Sequence, residues 1–179
     1  LSYPALVDAL QETFSGEFNM PPRNVFLLDE QSESHDAFAV LPSWNTDLIG
    51  VKAFTYFPSN SEPYKSLYSK ILLFDRAHGE PLALVDGTTV TFWRTAGISG
   101  LATRLLARKN AENLLLLGTG NLAKYIIRAN ASVRPLKRVS VWGRTPSNAA
   151  KIVDEMSSEL EGVEVTVATD LEKSCSQAD

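Results

Sequence analysis

Residues 114–123 read Leu-Leu-Leu-Leu-Gly-Thr-Gly-Asn-Leu-Ala. A Gly-rich turn between a buried strand and a helix suits a pyrophosphate, because glycine lets the backbone bend sharply and come close while the helix N-terminus favours the charge. Gly118 and Gly120 take the first two positions of such a loop, with Thr119 between them, and Ala123 takes the third, where a small residue is enough. Two glycines alone also occur in plain turns and helix caps. The strand before, the helix after and a second strand at the right distance raise this loop above those. The second strand ends Val141-Trp142-Gly143-Arg144-Thr145. An acid there would grip the ribose 2′-hydroxyl of NAD, whereas an arginine accommodates the 2′-phosphate of NADP. No acid is present; Arg144 can pair bidentately with phosphate, and Thr145 and Asn148 offer supporting donors. The residues predict NADP(H), with NAD(H) as the alternative.

Three further cations stand beside small or rigid residues: Arg23 after Met20-Pro21-Pro22, Lys52 after Gly50-Val51, and Arg94 before Thr95-Ala96-Gly97. Taken singly, a lysine or arginine is usually a solvated surface group. Here the proline pair stiffens the approach to Arg23, and Lys52 lies in an otherwise apolar strand, where an ammonium is costly without a partner. Together they predict a bound anion. The other candidates are bland: His35 and His78 fall in turn-like segments, and Trp44, Trp93 and Trp142 read as packing anchors, not a platform for bases.

These residues need elements to position them. Apolar residues at Tyr3, Val7, Leu10 and Phe14 predict an amphipathic helix that stops near Gly16. Strands are predicted over 25–28, 37–41, 48–57 and 69–74, the last leading through a turn at Ala77-His78-Gly79-Glu80-Pro81 into one further strand up to Asp86-Gly87, all read as one mixed sheet. A long helix follows over about 89–109. From residue 113 the pattern is strand 113–117, helix 121–133, strand 138–142, helix 146–160 and strand 163–168, the opening of a doubly wound parallel sheet. The fold class predicted is therefore α/β: a Rossmann-type parallel sheet, incomplete here, preceded by an α+β domain. The boundary is placed at about residue 110, giving domains 1–110 and 111–179.

The 179 residues include 17 Lys and Arg against 21 Asp and Glu, a net charge of −4, with 44% hydrophobic and 21% charged residues. That composition buries a core, offers no basic stripe for nucleic acid, and contains no apolar run long enough for a membrane span. Cys175, the one cysteine, excludes an internal disulfide and a Cys-built metal cluster, and no metal is expected. A cytoplasmic setting is expected. The chain begins with Leu1 and stops at Asp179, where another strand is due, which reads as a piece of a longer protein.

Several segments, in order along the chain, resemble the ornithine cyclodeaminase/mu-crystallin family: Met20-Pro-Pro-Arg23, Gly50-Val-Lys52, the stretch from Leu72 to Gly87, Arg94-Thr-Ala-Gly97, Gly118-Thr-Gly120 and Gly143-Arg-Thr-x-x-Asn148. The resemblance implies a substrate-binding and dimerisation domain followed by a Rossmann domain, and a homodimer. By position, Arg23 matches the arginine that pairs with the substrate carboxylate, and Lys52 the lysine beside the reacting carbon. Arg94 matches the arginine near both carboxylate and nicotinamide, and Ser66 a small hydroxyl residue near the cofactor. Thr119, Asn121 and Leu122 match the phosphate-loop contacts, and Arg144, Thr145 and Asn148 the ribose-phosphate contacts. The family's catalytic aspartate falls beyond Asp179.

Two departures bear on activity. Cyclodeaminases tend to carry Gln where this chain has Leu122, and Leu41-Pro42-Ser43-Trp44 and Phe57-Pro58-Ser59-Asn60 are closer to members that reduce cyclic imino acids. The resemblance thus implies an NAD(P)H-dependent reductase taking a small imino acid, with Arg23 and Arg94 orienting its carboxylate and Lys52 managing a proton. An ornithine cyclodeaminase, an amino-acid dehydrogenase and a non-catalytic NADPH and small-ligand binder stay open.

Overall fold

A computed structural model describes residues 2–31 and 33–179. Its helices and strands form two compact units, one of Phe14–Thr91 and one of Phe92–Asp179 together with the N-terminal residues as far as Thr13.

In chain order, α1 (Tyr3–Ser15) leads to five strands, β1 (Asn24–Leu27), β2 (Ala37–Trp44), β3 (Leu48–Tyr56), β4 (Leu67–Asp75) and β5 (Pro81–Asp86). The strands pair in sequence order, every pair antiparallel, so the mixed sheet expected from sequence is corrected to an antiparallel meander. The reason is connection length: three residues join β2 to β3 and five join β4 to β5, whereas a parallel pair needs a crossover of a dozen or so. Asn45 makes the first turn by accepting the amides of Asp47 and Leu48 at 2.9 and 2.8 Å. β2 runs past Pro42, three residues beyond the strand expected. Its ladder with β1 stops at Val40, so Pro42 lies where β1 has no amide to pair.

α2 (Gly87–Leu106) starts at the end of β5 and continues into the other unit. There follow β6 (Asn113–Leu117), α3 (Ala123–Ala131), β7 (Arg138–Trp142), α4 (Pro146–Glu159), β8 (Glu164–Val167) and α5 (Leu171–Gln177). The three strands pair in parallel in the order β6-β7-β8, the expected β-α-β-α-β arrangement. Val139 and Val141 of β7, Ile127 of α3 and Met156 of α4 are fully buried at its centre, each worth about 1.5 to 3 kcal/mol of apolar burial. α1 packs on α2 in the same unit: a Cβ on Gly97 would come within 2.8 Å of Leu10 and 3.0 Å of Leu6. Tyr3 stacks on Trp93 at 4.6 Å, and burial pushes the Tyr3 hydroxyl up to about 12.

α2 ends three residues before the helix expected from sequence. The Arg134 guanidinium donates to the carbonyls of Thr103, Arg104, Ala107 and Arg108 at 2.7 to 2.9 Å, closing the helix C-terminus with a cation where the dipole favours one. Among the described residues, no helix is long and apolar enough to cross a membrane.

Candidate functional site

β6 delivers the chain to Gly118, whose amide donates to the Trp142 carbonyl at 2.8 Å and whose φ of +124° strongly favours glycine. A Cβ added at Gly118 or at Gly120 would meet nothing within 4 Å. Packing within the chain therefore does not account for Gly120, and the space beside both glycines suits a pyrophosphate brought close to the backbone. The Ala123 amide turns back to the Gly120 carbonyl at 2.9 Å, and Leu122, at the N-cap of α3, supplies no side-chain cap. The first turn of α3 thus keeps its partial positive charge available to an anion. These features fit a dinucleotide phosphate at Gly118, Thr119, Gly120, Asn121 and Leu122.

β7 brings the second half of this site alongside. A Cβ on Gly143 would stand 2.5 Å from the Thr119 methyl, so the bare glycine is what lets the strand end close on the loop. Arg144, Thr145 and Asn148 follow, all exposed. Thr145 is the N-cap of α4 with extended backbone and no capping bond from its hydroxyl, Pro146 begins the helix, and the Asn148 amide donates to the Thr145 carbonyl at 3.0 Å. The structure thus sets the glycine loop and the arginine segment side by side, as their sequence reading as one dinucleotide site requires. Gly143→Ala is expected to displace Thr119 and weaken dinucleotide binding roughly tenfold, with little change in melting temperature, which a titration of cofactor fluorescence checks.

In the other unit, Lys52 is half-buried on β3. Its Nζ donates to Thr91 Oγ1 at 2.6 Å and lies 5.7 Å from the centre of the Phe54 ring. Thr91 in turn donates to the Gly87 carbonyl at 2.7 Å. The start of α2 is itself well fastened: Asp86 Oδ1 accepts the amides of Thr88 and Thr89 at 2.9 and 3.0 Å, and Thr88 Oγ1 accepts the Ser69 amide at 3.1 Å. A Cβ on Gly87 would stand 2.5 Å from Ser69 Oγ, which allows no side chain there without a shift. Asp86-Gly87 looked like turn punctuation in the sequence and is instead a helix cap. Thr91 was missed altogether; its only signal was its place three residues ahead of Arg94 in a helical stretch.

The Thr89 amide, then the Thr88 amide and nearby Lys70, hold the Asp86 carboxyl below the usual carboxylate range. A carboxyl depressed in the folded state stabilises above its unfolded pKa and loses that contribution as pH falls through the folded value. Asp86→Ala is therefore expected to melt at a lower temperature than the parent near neutral pH, the gap narrowing as acid protonates Asp86. Melting curves across that range test it.

Arg23 is exposed just ahead of β1, and Ser66 is exposed just ahead of β4, its carbonyl accepting the Phe57 amide at 2.8 Å. Arg94 is exposed on α2, in the unit that holds the glycine loop, and its guanidinium donates to the Thr95 hydroxyl at 3.3 Å.

Residues 2–179 match the model of the ornithine cyclodeaminase/mu-crystallin family. A Delta(1)-pyrroline-2-carboxylate reductase of Colwellia psychrerythraea is 50% identical over 182 residues, covering 100% of this chain and 58% of its own length. The solved Delta(1)-pyrroline-2-carboxylate reductase of Thermococcus litoralis, in complex with NADH and L-proline, superposes with a TM-score of 0.83 at 28% identity, covering 98% of this chain and 54% of its own. An archaeal alanine dehydrogenase dimer with bound NAD shares the fold, with a TM-score of 0.86 at 24% identity over 97% of this chain and 53% of its own. The chain spans a little over half the length of these relatives.

Proposed function

The chain belongs to the ornithine cyclodeaminase/mu-crystallin family, and from that premise we propose that it serves a nicotinamide-dependent reductase of cyclic imino acids. The substrates are pyrroline-2-carboxylate or piperideine-2-carboxylate, and the products proline or pipecolate. What carries the reading is 50% identity, over the whole of the chain, to a protein named for the first of these reactions.

The bound dinucleotide supplies the hydride that reaches the C=N carbon. Gly118, Thr119, Gly120, Asn121 and Leu122 hold its pyrophosphate, Arg144, Thr145 and Asn148 its ribose phosphate, and Ser66 and Arg94 serve its nicotinamide end. Arg23 and Arg94 pair with the planar carboxylate and fix which face of the imine is presented. Lys52 keeps the imine nitrogen protonated, so that hydride arrives at an iminium carbon and leaves a neutral amine. NADP(H) is favoured over NAD(H), supported by Arg144 at a strand end without a carboxylate.

By role, residues 1–110 bind substrate and mediate dimerisation, and residues 111–179 bind the dinucleotide. A homodimer is supported by the antiparallel sheet, whose register puts Phe26, Phe38, Val40, Val51, Leu72 and Leu84 on one face. Phe26 is 53% and Leu84 69% exposed, a large apolar surface for a monomer to leave in water. One exposed free cysteine, Cys175, and reduced nicotinamide chemistry support a cytoplasmic setting.

The test is consumption of NADPH and NADH by the complete protein with each imino acid, beside ornithine with NAD⁺ and a proline readout. Oxidation with either imine is expected. Proline from ornithine without net cofactor use would make it a cyclodeaminase, and saturable NADPH binding with no turnover would make it a binder.

A further inference from the structure

A lysine that works on a reacting atom must first be held still, because its four-carbon stem has many rotamers and its ammonium is a compact, strongly hydrated charge. The fastening of Lys52 is unusually well defined. Nζ donates to Thr91 Oγ1 at 2.6 Å, and the single proton of that hydroxyl goes to the Gly87 carbonyl at 2.7 Å. A hydroxyl carries one proton, so Thr91, having given its own to Gly87, can only accept from Lys52. Either form of lysine can make that bond, the ammonium with one of its three protons and the amine with one of its two. The contact therefore persists when lysine gives up a proton, and the amine's lone pair is not spent on it.

Thr91 is itself rigid. Its branched side chain has few rotamers in a helix, and its bond to the carbonyl four residues back selects one of them. It sits in the first turns of α2, which Asp86 caps and which Thr88 ties to β4 through the Ser69 amide. Phe54, two residues along β3 from Lys52, presents its ring to the same Nζ at 5.7 Å.

We infer that Thr91 is a positioning residue, whose hydroxyl holds Lys52 Nζ where it meets the imine. The inference rests on the reading above that Lys52 serves imine reduction.

In the complete protein, Thr91→Val keeps the side chain's shape and removes the hydroxyl, and Thr91→Ser keeps the hydroxyl. With pyrroline-2-carboxylate, kcat is expected to fall about tenfold in Thr91→Val, as befits a lost bond to a charged group. KM for the imino acid and the cofactor Kd stay within about threefold of the parent, and Thr91→Ser recovers most of kcat. Unchanged kcat in Thr91→Val, or equal losses in the valine and serine variants, would overturn the inference.

A second readout does not need turnover: labelling of Lys52 by trinitrobenzenesulfonate, followed by mass spectrometry. Lys52 is expected to label faster in Thr91→Val than in the parent or in Thr91→Ser, and equal rates in all three would overturn the inference. Should Thr91→Val melt below the assay temperature, Thr91→Ala takes its place in both comparisons. A parent that reduces no imine would sink the functional reading, and the labelling comparison would still decide what Thr91 does for Lys52.

Discussion

Lys52→Met in the complete protein is expected to lower kcat for reduction of pyrroline-2-carboxylate by about 10²- to 10⁴-fold, the range that a positioned proton-transfer group contributes. The fold should survive. Lys52 is half-buried in β3 among Val51, Ala53 and Phe54, and methionine keeps an unbranched stem of similar length while removing the ammonium that needed a partner. Thr91 gives up the donor at 2.6 Å and keeps its own bond to Gly87, and the Phe54 ring loses the cation 5.7 Å from its centre. Cofactor affinity is expected to hold, since Lys52 and the glycine loop belong to different units of the chain. Steady-state kinetics, a melting curve and a cofactor titration on the same preparation separate these outcomes. A variant that melts like the parent, binds cofactor like the parent and turns over within about threefold of it would remove Lys52 from the chemistry.

How much of this was legible in the sequence depends on whether the determining contact is local. The β-α-β-α-β half could be read almost residue by residue. A strand of a parallel sheet shows as a near-continuous apolar run, here Leu114 to Leu117 of β6, and the glycines and Pro146 mark where loops yield to helices. The antiparallel sheet was half legible. Its strands showed as β-rich runs, but their direction lay in the lengths of the loops between them. The end of α2 was illegible because the group that closes it, Arg134, lies more than two dozen residues downstream.

The site follows the same rule. Gly118, Gly120 and Arg144 sit on contiguous stretches with a known spacing, whereas the Thr119 to Gly143 contact and the Lys52 to Thr91 bond join residues far apart in the chain. Lys52 could be flagged because a cation in an apolar strand is conspicuous. A threonine in a helix is not, so its partner could not be found until the strand and helix were placed together.

Arg144 poses the sharpest quantitative choice, between a solvated loop cation and a phosphate clamp. An exposed ion pair is worth at most about 1 kcal/mol, or roughly fivefold in affinity, and many such pairs contribute nothing. A guanidinium that grips a doubly charged phosphate with two hydrogen bonds exceeds that, at about 1.5 to 3 kcal/mol. The N-terminus of α4 adds to the attraction, because Thr145 leaves its first turn without a side-chain cap. Arg144→Ala is therefore expected to weaken NADPH binding by about 10- to 100-fold while NADH, which lacks the 2′-phosphate, changes by less than about threefold. Arg144→Lys keeps the charge but not the planar fork, and should fall between the two. Salt gives an independent check: NADPH affinity in the parent should decline with ionic strength more steeply than in Arg144→Ala, as a screened charge pair requires. Equal losses for the two cofactors would return Arg144 to the solvated surface and leave NADP(H) preference without its support.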